Sequence, residues 1–135
     1  MSSDPALALQ KAFVAAIKAL QTEAGGNVFD RVPASAKDAF PRVTVGEAQI
    51  VGNYAECYDG SEAFIIVDVW SRKPGMPQAQ QIASAIRTGL HDADLDLEGH
   101  TLELLDFESV NYLKDPDGLT RRARMQFRAL TQPKD

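Results

Sequence analysis

The sequence predicts one α+β domain, in which a mostly antiparallel β-sheet has two helices packed against it. Two segments show the apolar spacing of a helix, one near the start of the chain and one near its middle. The other apolar segments alternate with period two and come mostly as hairpins, which favours an antiparallel sheet. With 135 residues, 44% of them hydrophobic and 24% charged, residues 1–135 fit a single globular domain.

The first helix is predicted to begin at Pro5 behind Asp4. An aspartate can cap a helix, and proline fits the first helical position. Gly25 and Gly26 predict where it ends. Its apolar residues recur at spacings of four and three and so form one stripe. They are Leu9, Phe13, Ile17 and Leu20.

The middle of the chain predicts several strands. Val28 and Phe29 indicate a short one, and residues 31–41 form an extended loop with two prolines. Residues 42–45 and 49–54 are predicted as two separate strands broken at Gly46, and Asp59 and Gly60 signal a turn. Residues 62–70 are apolar on both faces, which predicts a central strand covered on both sides. Four residues of these segments are expected in the core, namely Phe29, Val43, Val45 and Ile65.

A second helix and a hairpin complete the predicted fold. The helix runs from about Pro77 to Leu90, with an apolar stripe of Ala79, Ile82, Ala83, Ile86 and Leu90. A polar turn over 92–96 precedes a strand at 100–113. Residues 115–118 (Asp-Pro-Asp-Gly) predict a tight turn, because glycine supplies a positive φ. The last strand, 120–130, has an inner face of Ala123, Met125, Phe127 and Ala129 and an outer face of Arg122, Arg124, Gln126 and Arg128.

The composition excludes several classes of function. The net charge is −5, so the chain gains nothing from counterion release and free-standing nucleic-acid binding is not expected. No apolar run approaches the roughly 20 residues that cross a bilayer, and no secretory signal is read at the start. Cys57 is the single cysteine, beside Glu56, and is interpreted as a small buried residue in a reducing compartment.

Catalytic, cofactor and metal sites are not predicted. Only His91 and His100 could act as a base; His91 is interpreted as favouring a helix C-terminus and His100 as facing solvent. A small hydrolase using His91 with Asp92 or Asp94 stays as a remote alternative. The acidic run at 92, 94 and 96, with Glu103 in the twelfth position, resembles a calcium loop. However, Leu97 occupies the position that needs glycine, so we interpret the run as a solvated turn.

Two groups of residues are candidates for a subunit or partner interface. The first is the strand end and the loop 71–77, where Trp70, Arg72, Lys73 and Met76 combine charged and apolar side chains. Trp70 is equally compatible with an anchor at the edge of the core, and the loop with an ordinary connection. The second group is the basic strand face, Arg122, Arg124 and Arg128, which suits an acidic partner or passing DNA. Its alternative is a face that is solvated or paired with acids across the sheet.

The order and spacing of six pieces resemble the small phage tail-completion family with a tail-terminator fold. The pieces run over nearly the whole chain after an N-terminal helix. They are residues 28–33 (VFDRVP), 40–47 (FPRVTVGE), 69–72 (VWSR) with Gly75, the helix 79–90, 95–100 (LDLEGH) and 115–121 (DPDGLTR).

This resemblance implies a structural virion protein of a tailed phage or a phage-like particle, gene transfer agents included. It implies a homo-oligomeric ring, usually hexameric, that caps the tail tube and joins the tail to the connector or stopper protein of the head, while DNA passes through its lumen without specific binding. Its place would be the tail–neck junction of the virion, after assembly in the host cytoplasm. The family has no known catalytic residues. The nearest alternative is another neck protein, such as a head-completion or stopper ring.

Overall fold

The computed structural model describes residues 4–53 and 60–134. The predictions made for Tyr54, Cys57 and Asp59 lie outside these ranges. The elements are, in chain order, α1 (Ala6–Leu20), β1 (Val28–Phe29), one turn of 3-10 helix (Ala34–Ala36), β2 (Arg42–Asn53), β3 (Gly60–Ser71), α2 (Pro77–Leu90), β4 (His100–Lys114) and β5 (Arg121–Pro133).

One sheet of five strands organises the described residues. Its order is β1-β2-β3-β5-β4; β1 runs parallel to β2, and all other neighbours are antiparallel. Both helices lie on the same face of this sheet and contact each other. The predicted α+β class, with a mostly antiparallel sheet and two helices packed on it, is confirmed.

The core lies between the helices and the inner face of the sheet. The predicted stripe of α2 is buried at every position, and α1 buries Leu9, Phe13 and Ile17. Phe127 stands in the middle of the sheet, where Phe13 and Phe107 each meet its ring edge-on at 5.7 Å between centroids. Such perpendicular pairs place a positive ring edge on a negative ring face.

The end of α1 differs from the prediction. The helix ends at Leu20, and Gln21 takes the left-handed conformation (φ 53°) that was expected of a glycine. Gly25 has φ 58° in the turn that follows, which buries Ala24 against the core. At the other end Pro5 is the N-cap, and the Asp4 carboxylate accepts the Ala6 amide at 2.8 Å.

Residues 42–53 form one strand and not two. Gly46 and Glu47 lie at a β-bulge between Val45 and Ala48, where two strands were predicted to be separated. A bulge absorbs extra residues without breaking the ladder, and it bends the strand locally. Beside it, Phe29 is half-buried and outside the core, because in a two-residue strand the alternation turns Val28 inward instead.

β3 is central, as predicted, but it is covered on one face only. Its inner residues Ala63, Ile65, Val67 and Val69 are buried under the helices. On the other face Phe64, Ile66 and Trp70 are half-buried, because no element of the described chain packs over them. The apolar residues on this second face therefore indicate a surface that the described residues leave open.

Candidate assembly surface

The uncovered side of the sheet is here called the open face. It carries the outward residues of β3 and β5 with the neighbouring residues of β2 and β4. Three of the predicted interface arginines lie on it, in register with β3: Arg122 opposite Trp70, Arg124 opposite Asp68 and Arg128 opposite Phe64.

Arg124 and Arg128 are neutralised within the chain. Arg124 reaches Glu47 at 2.7 Å and Asp68 at 3.3 Å. Arg128 is bonded to the Glu62 carboxylate and lies 3.6 Å from Asp106. The basic face of β5 was interpreted either as a partner surface or as a face paired with acids across the sheet. The second interpretation describes Arg124 and Arg128.

Asp68 is the most enclosed member of this network. Its side chain is 11% exposed, and burial raises its pKa, while the positive charge of Arg124 acts in the opposite direction. The second carboxylate oxygen of Asp68 is buried without a hydrogen-bond partner. Arg124 therefore supplies compensation that this carboxylate requires, since a buried charge without a partner is costly.

Trp70 and Arg122 form a stacked pair where the strands end. The indole Nε1 donates to Thr44 Oγ1 at 3.0 Å, and the Arg122 guanidinium carbon lies 5.0 Å from the centre of the indole ring. That distance suits a cation–π contact. Trp70 is thus anchored at the edge of the core while one side of it faces the open surface.

The loop at 71–77 has a fixed base and an exposed rim. Buried Ser71 donates to Gln78 at 2.7 Å, and Gln78 in turn donates to Glu23 at 3.0 Å. Arg72 and Lys73 are exposed and Met76 is half-buried. The structure therefore brings Trp70, Arg72, Lys73 and Met76 into one region between β3 and α2.

Phe40 and Arg42 also belong to this region, although the sequence did not predict them as interface residues. The guanidinium carbons of Arg42 and Arg72 lie 4.3 and 4.2 Å from the centre of the Phe40 ring. Arg72 also donates to Thr120 Oγ1 at 3.3 Å. A possible signal was the aromatic residue placed two positions before a strand that starts with arginine, but only the fold brings Arg72 to it.

The two histidines have structural surroundings. His91 follows α2, and its Nδ1 accepts the Phe107 amide at 3.1 Å, which ties the ring to β4. Its Nε2 lies 3.5 Å from Asp92, and these two groups with Asp106 form one exposed or half-exposed cluster. His100 was predicted to face solvent, but it is 6% exposed because it begins β4 against the last residues of β5.

No helix of the described residues is both long and apolar enough to cross a membrane.

The chain is similar to known proteins in sequence and in fold. The model of the family Tail completion protein gp17 matches residues 8–132. Among solved structures, the chain is similar to one in the virion of a native gene transfer agent (GTA) particle. The two are 26% identical, with a TM-score of 0.84, and the match covers 97% of this chain and 99% of the other. None of the curated proteins matches.

Proposed function

This chain belongs to the Tail completion protein gp17 family, and from that premise we propose that it forms the ring that terminates the tail tube and joins the tail to the head connector. Family membership makes it a structural protein of phage tails. The observation that carries the finer role is the likeness to a chain of a gene transfer agent virion over almost the full length of both. Because the match covers 97% of this chain and 99% of the other, almost no part of either chain folds differently.

The proposed ring is hexameric and contacts two partners, the tube protein on one face and the connector or stopper protein on the other. It lies at the tail–neck junction of the virion, is assembled in the host cytoplasm, and lets DNA pass through its lumen without specific binding. The purified protein alone can stay monomeric, because its net charge of −5 opposes self-association until the tube end acts as a template. We predict no catalytic activity and no cofactor.

Subunit contacts are proposed for the exposed rim formed by Trp70, Arg72, Lys73 and Met76. An aromatic residue, an arginine and a methionine within seven positions of the chain have the composition of an interface core. Arg122, Arg124 and Arg128 are proposed to face a neighbouring subunit, a partner protein or the lumen. Arg124 and Arg128 already have carboxylate partners within the chain. We therefore expect them to affect how a bound partner is oriented more than how tightly it binds.

The test of the function is a producing strain without this protein, with its particles imaged by electron microscopy. A terminator prevents addition of further tube subunits, so its loss should give tails of irregular excess length that do not join heads. Tails of normal, uniform length beside heads that leak DNA would favour the head-completion alternative instead. In purified wild-type tails, the protein should be found at the head-proximal end.

The test of the contact rim is the pair of changes Arg72→Gln and Met76→Gln in one variant. We expect an unchanged fold by circular dichroism and weaker capping, seen as longer tails. The matched control is Lys11→Gln with Leu7→Gln, which also removes one exposed cation and one apolar side chain, but on α1. Equal loss of capping in both variants would argue against the rim.

A further inference from the structure

Three arginines at one corner of the open face make no ion pair with any carboxylate of the described residues. The register places Arg42, Trp70 and Arg122 side by side on β2, β3 and β5. Arg72 follows β3 directly and shares the ring of Phe40 with Arg42. These five residues are called the arginine corner.

The arginine corner has no carboxylate within ion-pair distance among the described residues. Asp38, Asp68 and Asp117 act on it only from farther away. The Nε atoms of Arg42 and Arg122 are buried without a hydrogen-bond partner among the described residues, whereas Nη1 of Arg42 donates to two backbone carbonyls. Burial lowers the pKa of Arg42 from its ordinary value, and the positive charge of Arg72 lowers it further. Arg124 and Arg128, on the same face, have two carboxylates each. The contrast indicates that the arginine corner is arranged for an anion that another molecule supplies.

A protein carboxylate suits the arginine corner better than a phosphate backbone does. Arginine held on aromatic rings is enriched in protein interfaces, and its planar fork matches a carboxylate in two parallel hydrogen bonds. Apolar side chains continue the surface at the hairpin, where Leu113 is 37% and Leu119 63% exposed. The nearby Asp117 carboxylate is already occupied by the Leu119 and Thr120 amides.

This chain itself carries free carboxylates, diagonally across the sheet from the arginine corner. Asp94 and Glu103 line one open depression beside the first half of β4, at the opposite edge of the sheet from β2. Both are exposed, and neither makes an ion pair within the described residues. This pair is called the acidic edge. The loop that presents Asp94 is fixed to the strand by the Asp92 amide, which donates to the Leu105 carbonyl at 2.9 Å.

We propose that the arginine corner of one copy binds the acidic edge of a second copy. The inference rests on the proposed ring and names its subunit contact. Because the two patches are different and lie on opposite sides of one chain, their pairing is heterologous, and it closes when the rotation between neighbours completes a circle. It also brings two copies of an acidic chain together where positive and negative side chains face each other.

Reversed charges on each patch test the contact. The corner variant carries Arg72→Glu, in the arginine corner, and Lys73→Glu, the exposed residue next to it. The edge variant carries Asp94→Lys and Glu103→Lys. Each is expressed alone, and both together, in cells whose own copy is deleted, and correctly capped tails are counted. A control variant with Lys11→Glu and Lys18→Glu makes the same charge change as the corner variant, on exposed positions of α1.

We expect each variant alone to lose capped tails by about tenfold or more, since like charges then face each other. The mixture should restore capping, because alternating copies present opposite charges at every contact. The control should cap normally, and circular dichroism should show folded protein throughout. Losses that the mixture does not repair would overturn the contact, and so would binding of the corner to DNA in place of the edge. Normal capping by either single variant overturns this contact alone, whereas normal tails in the deletion strain overturn the proposed function.

Discussion

The two faces of the sheet are built from the same strands but differ in burial and in charge. On the covered face of β5 the side chains of Ala123, Met125, Phe127 and Ala129 are at most 1% exposed. On the open face the side chains of Arg124 and Arg128 are 29% and 30% exposed. One face is held by apolar packing within the chain, the other by charges that are paired at one end and unpaired at the arginine corner. We infer that the covered face determines stability, while the open face is available for assembly.

The strongest test of this difference is Phe127→Ala on the covered face. Loss of a buried aromatic side chain leaves a cavity, and we expect about 3–5 kcal/mol less free energy of unfolding in urea denaturation. Phe64→Ala, on the open face of β3, should cost only about 1 kcal/mol, because a half-buried ring loses part of its transfer free energy. Equal losses in the two variants would remove the distinction between the faces.

The hairpin that joins β4 to β5 offers a change that affects neither face directly. Gly118 has φ 76°, as the turn predicted, and a β-branched residue resists that conformation. Gly118→Val should lower the free energy of unfolding by about 1–3 kcal/mol. Gly118→Asn is the control, since asparagine tolerates positive φ. A melting temperature unaffected by valine would show that the turn adapts without strain.

Within the open face, the two paired arginines should differ. Arg124→Met removes the ion pair of the nearly buried Asp68, on which Arg122 acts only from farther away, and we expect a loss of up to about 2 kcal/mol. Arg128→Met affects Glu62 and Asp106, which are more exposed, so its cost should be below about 1 kcal/mol. Denaturant titrations of both variants in the same buffer measure the difference. The reverse order would contradict the role assigned to Asp68.

The smallest effect concerns pH and the hairpin turn. Hydrogen bonds from Thr120 and Leu119 lower the pKa of Asp117 to about 2, below the roughly 3.9 of an unfolded aspartate. A lowered pKa means that the ionised group stabilises the fold above about pH 3.9 and that this contribution disappears as the pH falls towards about 2.

Asp117→Asn should therefore melt below wild type at neutral pH and approach it near pH 2. Asp115→Asn, in the same turn, keeps the Asp117 bonds and serves as the control. Thermal unfolding across this pH range measures both, and a difference from wild type that is independent of pH would rule out the carboxylate as its cause.

Local spacing made part of this molecule predictable. The bounds of α2, the alternation of β5 and the positive φ of Gly118 agree with the sequence prediction, because each depends on residues within a few positions of one another. The family resemblance also agrees with the comparisons, since it rested on pieces spread over nearly the whole chain. The continuous strand β2 was not predicted, because Gly46 was interpreted as a break between two strands. It lies instead at a β-bulge, across which the pairing with β3 continues.

The sequence by itself determined which side chains of β5 share a face, since a strand alternates with period two. Only the tertiary structure decided which arginines are paired. Arg124 meets Asp68 and Glu47 from 56 and 77 positions away, and Arg72 reaches Phe40 through the β2–β3 register. Charge pairing depends on distances between strands, and those distances are fixed by register and by which face the helices cover. For that reason the arginine corner could not be predicted from any stretch of the chain alone.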